Sequence, residues 1–395
     1  MSHQLINLSP DLKKLRDEGY EVFILGNHLL ISSIPYVSKD GAVKTGTLVS
    51  ELTLAGQRAA KPSTHVVYFI GEYPFHANGK EISHIKHSSR DNKLRNGITV
   101  NHSFSNKVKG KDDVDYYQKM IRYIDILSNE AVSIDISVTP KTFRVIEIPP
   151  EESVFNYPDT NSSRAEIDTI TDKLRGLKIG ILGIGGTGSY VLDLVSKTPV
   201  AEIHLFDGDS FYVHNSYRAP GAPSLEQLNN APSKVQYFSS IYSRMHRHII
   251  PHETYLNVEN VQMLEGLDFV FLCIDAPKIK SIVIEKLEEL GIDFIDVGMG
   301  LTAVDQTIIG SITVTTSTKE KRNHVRDKGR ITFVEDEEEA LYNQNIQIAE
   351  LNALNATLAV IKWKKLYGFY QDLEKEHFTV YSLNDHSFLN EDHEA

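Results

Sequence analysis

The sequence predicts an α/β fold, a doubly wound and mainly parallel sheet, preceded by a smaller α+β domain. Three observations carry this. From residue 177 onward, strand-length apolar runs alternate with helical ones: LKIGILGIGG, then GSYVLDLVSK, then AEIHLFDGD. Strand, helix, strand is the order that a parallel sheet with crossover helices requires. Before residue 145 the pattern is mixed instead: EVFILGNHLLISSIPYV and THVVYFI are β-branched and aromatic runs, and VDYYQKMIRYIDILSNEA carries its apolar residues at helical spacing. Between the two, residues 145–163 read VIEIPPEESVFNYPDTNSS, whose three prolines favour extended and turn geometry. The expected boundaries are an α+β domain over 1–145, a linker over 146–163 and an α/β domain over 164–395.

Composition narrows the function. A chain of 395 residues is long enough for two or three domains. Its 41 Lys plus Arg against 53 Asp plus Glu leave a net charge of −12, which opposes general attraction to nucleic acid or an anionic membrane. Neither is expected as a partner. A single cysteine, Cys273, excludes intramolecular disulfides and zinc sites built on two or more thiolates, so no zinc is expected. The N-terminus shows no apolar run behind a basic start, and no stretch reaches 18 apolar residues; the expected location is cytoplasmic.

Within the second domain, LDFVFLCIDA, FIDVGM and TIIGSITVTT supply further strands, with IVIEKLEEL as a helix between two of them. Residues 318–340, TKEKRNHVRDKGRITFVEDEEEA, have a basic half and an acidic half and read as a mobile surface loop. A long helix follows, on which Leu351, Leu354, Leu358 and Ile361 lay an apolar stripe toward the sheet, and Gly368 ends it.

Chemistry begins at GIGGTG, where Gly183, Gly185 and Gly188 take the GxGxxG spacing, with Gly186 between them, directly between a strand and a helix. Such a turn lets backbone amides approach a phosphate at a helix N-terminus, the Rossmann-like arrangement. Asp207 ends the next strand, 24 residues beyond Gly183, where a carboxylate can hold both ribose hydroxyls. To this point NAD and ATP fit equally well. The next segment presents Asp209, Asn215, Arg218 and Lys234. A guanidinium and an ammonium beyond the ribose carboxylate suit a triphosphate, whereas hydride transfer needs neither. Asp275, after the apolar run FVFLCID, belongs to the crevice at the carboxyl end of its strand, where open α/β sheets bind ligands.

This set resembles the ThiF/MoeB and ubiquitin-activating enzyme superfamily, in which the glycine loop is followed by an Asp-x-Asp pair, then Asn and Arg eight and eleven residues after the first Asp, then a Lys and a later Asp. Asp207, Asp209, Asn215, Arg218, Lys234 and Asp275 fill those places, and the likeness covers about residues 164–370. The resemblance implies ATP-dependent adenylation of the C-terminal carboxylate of a ubiquitin-like or sulfur-carrier protein, with release of pyrophosphate. Asp207 would hold the ribose, Asn215 and Arg218 the phosphates, Lys234 the phosphates and the departing pyrophosphate, and Asp275 a magnesium ion. Arg164 would be the family's phosphate-reaching arginine, and a homodimer is implied. Adenylation of a small molecule, peptide or RNA, or an NAD-dependent oxidoreductase, remain the alternatives.

The thioester-forming relatives keep a catalytic cysteine near the loop after the sheet, and residues 318–340 contain none. Cys273, inside a strand, reads as a buried and inert thiol. The same loop offers Lys319, Lys321, Arg322, Arg326, Lys328 and Arg330 to a carboxylate terminus, and Gly298 and Gly300 leave room for a narrow tail. In the first domain, His65, His76, His84, His87 and His102 lack a ligand spacing and read as surface or capping histidines. Tyr73, Pro74 and Phe75, followed by a helix over 113–131, faintly resemble ubiquitin-conjugating folds without the catalytic cysteine, which would imply docking of a conjugating-type partner or a ubiquitin-like protein.

Overall fold

The computed structural model describes residues 2–94, 97–107, 112–146, 153–333 and 346–394. The chain forms two compact units, residues 1–152 with 157–165, and residues 153–156 with 166–395. The sequence places one linker at 146–163, of which 147–152 lie outside the described residues. The rest alternates: Asn156 and Arg247 pair within the second unit at 2.9 Å, whereas Arg164, on the short helix Thr160–Arg164, donates to the Asp17 carbonyl of the first at 3.0 Å.

In the first unit, helices α1 (Ser2–Leu8) and α2 (Pro10–Asp17) precede strands β1 (Glu21–Leu25), β2 (His28–Val37), β3 (Val43–Glu51), β4 (Val66–Ile70), β5 (Lys86–Lys93) and β6 (Thr99–Ser105). All pairings in the sheet are antiparallel, in the order β1-β2-β3-β4-β6-β5. Helix α3 (Tyr116–Ile134) begins later than expected because the Asp115 carboxylate caps it, accepting from the Gln118 amide at 2.7 Å. Met120, Tyr123, Ile124 and Leu127 recur at helical spacing on its buried face and pack on Phe69 and Phe104 of the sheet. Lys119 lies on that face too, with Nζ donating to Ser50 Oγ at 2.8 Å.

The second unit is built on an eight-stranded sheet: β7 (Lys178–Leu182), β8 (Glu202–Phe206), β9 (Ile249–His252), β10 (Phe269–Leu272), β11 (Asp293–Val304), β12 (Thr307–Ser317), β13 (Phe378–Ser382) and β14 (Phe388–Glu391). The order is β9-β8-β7-β10-β11-β12-β13-β14. The first five strands are parallel, and the last three add antiparallel. TIIGSITVTT, expected simply as another strand of the parallel sheet, returns from β11 through Asp305 and Gln306, both at positive φ, the two-residue turn that hairpins favour.

Helices α4 (Thr187–Val195), α5 (Lys234–Tyr242) and α7 (Ala349–Leu366) share one core with the sheet, and α6 (Pro277–Leu290) belongs to a second. Gly368, at positive φ, follows the end of α7 as expected. The leucine stripe expected on α7 is displaced, however. Ile361 is exposed and Leu354 and Leu358 are half-buried, while Asn352, Asn355, Ala356, Ala359 and Trp363 turn inward. Small side chains face α4, where helices approach closely, and hydropathy alone does not report that requirement.

Residues 318–333 are more structured than the expected loop. Thr318 bridges Lys321, and His324–Asp327 forms a helical turn. Its cations are tied locally: Arg326 to Glu288 at 2.7 Å, Arg330 to Asp392 at 2.9 Å, Lys328 to Asp392, and Lys321 to the His393 carbonyl at 2.8 Å. Residues 334–340, the acidic half, lie outside the described residues. Among the described residues no helix is long and apolar enough to cross a membrane.

Candidate nucleotide site

A cavity of about 410 Å³ opens at the carboxyl ends of β7, β8 and β10, where the switch in strand order parts the chain to either side of β7. Its floor is the glycine loop. Gly183 sits at φ +85°, and a Cβ there would stand 2.6 Å from the Cys273 carbonyl oxygen. A Cβ on Gly188 would stand 1.9 Å from the Gly183 oxygen, so only glycine lets the loop close onto α4. Gly185 has no atom within 4 Å of its Cβ direction and leaves space above the helix N-terminus.

Asp207 and Asp209 form the next wall. Asp207 Oδ2 accepts from the Ile184 amide at 2.7 Å and Oδ1 from the Asp209 amide at 2.9 Å, so this carboxylate holds the glycine loop to the end of β8. Lys234, 7% exposed at the start of α5, places Nζ 2.5 Å from Asp209 and 3.6 Å from Asp207. Tyr255, absent from the sequence-derived set, hydrogen-bonds to the second oxygen of Asp209. Its ring lies so close to the backbone that a Cβ on Gly208 would meet it at 2.6 Å. Burial would raise the Asp209 pKa, but Lys234 and Tyr255 outweigh it and hold the carboxyl below its usual range. The same contact pushes the Tyr255 hydroxyl up to about 12.

Arg218 lines the cavity, half-buried, with Nε lacking a hydrogen-bond partner among the described residues. Burial pulls its pKa down and the Asp209 charge opposes that. Asn215, expected as a phosphate ligand, is 2% exposed and outside the cavity lining, and its Oδ1 accepts from the Tyr212 amide at 2.8 Å. It caps the turn Val213–Ser216 that delivers Arg218. Arg164, likewise expected at the phosphates, belongs to the first unit, where it donates to the Asp17 carbonyl.

Asp275 lines the cavity from the loop between β10 and α6, three residues past the last residue of β10. Behind it Lys280 and the buried Asp296 pair at 2.6 Å. Burial holds the Asp296 carboxyl high, opposed by Lys280. Burial also raises the Cys273 thiol pKa, reinforced by Asp296, so the thiolate is scarce near neutrality. The fourth wall is α7: Asn352 Oδ1 accepts from Thr187 Oγ1 at 2.9 Å and its Nδ2 donates to the Arg218 carbonyl at 3.1 Å. Neither Asn352, Asn355 nor Lys280 follows a local spacing that marks it, and each reaches the site only through the tertiary fold. The five histidines singled out in the first domain belong to the first unit, and among the described residues no group of three acidic, His or Cys side chains is arranged to hold a metal alone.

A glycine loop on a helix N-terminus, an acidic residue closing the adjacent strand and two converging cations define a Rossmann-like α/β fold with a candidate nucleotide site. The chain belongs to the ThiF family, which it matches over residues 161–384, and residues 10–160 match a domain of unknown function (DUF6791). It is 25% identical over 145 residues to ubiquitin-like modifier-activating enzyme 5 of Oryza sativa subsp. japonica, an alignment covering 34% of either chain, so it spans about a third of that relative's length. Among solved structures, E. coli MccB with ATP superposes with a TM-score of 0.43 at 18% identity over 56% of this chain and 65% of that one. PaaA superposes with a TM-score of 0.48 at 13% identity over 70% and 92%.

Proposed function

We propose that the second unit adenylates the C-terminal carboxylate of a small protein, of the ubiquitin-like or sulfur-carrier kind, at the expense of ATP. ThiF membership supports adenylation chemistry, and the matched ubiquitin-like modifier-activating enzyme supports a small-protein substrate. The observation that carries the reading is the convergence of Gly185, Asp207, Asp209, Arg218, Lys234 and Asp275 on one cavity.

In the reaction a carboxylate oxygen attacks the α-phosphorus, a P–O bond forms, and the bond to the departing pyrophosphate breaks. No general base is needed, because a carboxylate is ionised at neutral pH. The protein aligns the two reactants and stabilises charge moving onto pyrophosphate. Lys234 exchanges its carboxylate partners for phosphate oxygens, and Arg218 presents its planar donors beside it. The charged lining is Arg218, Lys234 and Lys280 against Asp207, Asp209 and Asp275, three against three, which leaves a triphosphate uncompensated. A magnesium ion fits that deficit: Asp275 would hold it together with phosphate oxygens, since this ion is commonly bound through one or two carboxylates plus substrate. When bound it would supply charge neutralisation on the phosphates.

The test is isotope exchange between pyrophosphate and ATP in the presence of small proteins with free C-terminal tails. Exchange should appear with the right partner and fall by roughly 100-fold or more in Arg218→Ala, Lys234→Ala and Asp275→Ala. Exchange unaffected by all three would refute the assignment, and a chain that binds NADH in preference to ATP would return the oxidoreductase alternative.

A further inference from the structure

Two asparagines three residues apart on α7, Asn352 and Asn355, are each 1% exposed and both line the nucleotide cavity. Asn352 has both ends of its amide engaged, by Thr187 and by the Arg218 carbonyl. Asn355 does not. Its Nδ2 donates to the Gly298 carbonyl at 2.8 Å, and its Oδ1 is buried without a hydrogen-bond partner among the described residues. The Gly298 contact fixes the amide, because turning it over would set two oxygens against each other. A buried acceptor of this kind is normally satisfied, and one left unpaired on a residue that lines a cavity asks for a donor on whatever enters.

Its position says which donor. Asn352 touches the phosphate corner, since a Cβ on Gly186 would stand 2.2 Å from its Nδ2. Asn355 lies three residues further along the helix, about 4.5 Å by the rise of an α-helix. There the cavity is bounded by Val297, Gly298 and Met299 of β11, which continues past Asp296, where its pairing with β10 ends at Leu272. A carboxylate placed for attack on the α-phosphate has, in any peptide not ending in proline, an amide N–H two bonds of about 1.5 Å from its carboxyl carbon.

We propose that Asn355 Oδ1 accepts the N–H of the last peptide bond of the substrate, so that the site selects a peptide C-terminus over a carboxylic acid without that amide. This rests on the adenylation reading and adds a specificity-determining residue to it. A hydrogen-bonding site discriminates against an analogue that leaves its buried group unpaired.

Two sulfamoyl adenosine mimics of the acyl adenylate test it on the full chain. One carries N-acetylglycine, and the other carries acetoxyacetate, in which an ester oxygen replaces the amide N–H. Wild-type protein should bind the amide at least roughly tenfold more tightly by calorimetry. In Asn355→Leu that ratio should fall close to one. Equal binding of the two compounds by wild type, binding of neither by a protein that still binds ATP, or an unchanged preference in Asn355→Leu would each overturn the proposal and leave the nucleotide site standing. Loss of ATP binding in wild type would instead remove the adenylation reading, and this inference with it. The wild-type comparison needs no variant to fold, and thermal denaturation reports whether Asn355→Leu does.

Discussion

Each unit buries a lysine, and the two are held in opposite ways. Lys119 of the first unit is fully buried on α3 with a neutral partner, the Ser50 hydroxyl, and desolvation pulls its pKa from 10.5 down to about 8. Lys234 of the second unit is 7% exposed but sits between two carboxylates on a cavity wall. The first arrangement costs stability and offers nothing to a ligand. The second holds an ammonium group between carboxylates beside an opening, where anionic phosphate oxygens can replace those partners. Burial of a charge therefore distinguishes a site from a core only when its partners and its access are read together.

Removing either lysine should separate these roles. The largest effect belongs to Lys234→Ala, which should weaken ATP binding and reduce exchange by roughly 100-fold or more, measured by titration calorimetry and pyrophosphate exchange. A loss under threefold would erase the contrast. Lys119→Met should leave both activities unchanged and stabilise the first unit by roughly 3 kcal/mol at pH 7, since a pKa unit corresponds to about 1.4 kcal/mol. The sign follows from linkage: between about pH 8 and 10.5 the unfolded chain binds the proton that folded Lys119 has released, so wild-type stability should rise with pH across that window. Denaturant titrations at pH 7 and pH 10 should show that rise in wild type and its absence in Lys119→Met; an identical slope in both would contradict the burial account.

A smaller effect sharpens the picture inside the site. Gly186→Ala and Asn352→Ala should each weaken ATP binding by roughly tenfold, and the double variant by less than the product, because the added methyl and the Asn352 amide compete for one volume. Strict additivity would show that α7 does not brace the glycine loop.

How much of this was legible in sequence depends on how each residue reaches the cavity. The glycine loop, Asp207, Arg218, Lys234 and Asp275 were legible because strand ends and the turns after them carry them into the crevice, so chain order nearly gives position. Asn215 is a less direct case: its side-chain oxygen caps the turn, and its neighbour Arg218 is the one that lines the cavity. Arg164, assigned to the phosphates only by resemblance, binds the Asp17 carbonyl within the first unit. On α7 the leucines outweighed the asparagines in hydropathy, so a helix face built to brace the site read as a core stripe. Asn352 contacts Thr187 across 165 positions of sequence, a distance no local pattern spans. Tyr255 was equally invisible, because its contact with Asp209 depends on the bare backbone at Gly208.

The central claim is that one cavity binds ATP through Lys234 and Arg218 and directs cleavage between its α- and β-phosphates. ATP labelled at the α-phosphate, incubated with the protein, magnesium and a small protein ending in a free carboxylate, should yield labelled acyl adenylate and unlabelled pyrophosphate, and the Lys234→Ala and Arg218→Ala chains should yield neither. Release of ADP and inorganic phosphate instead, or full activity in both variants, would contradict it.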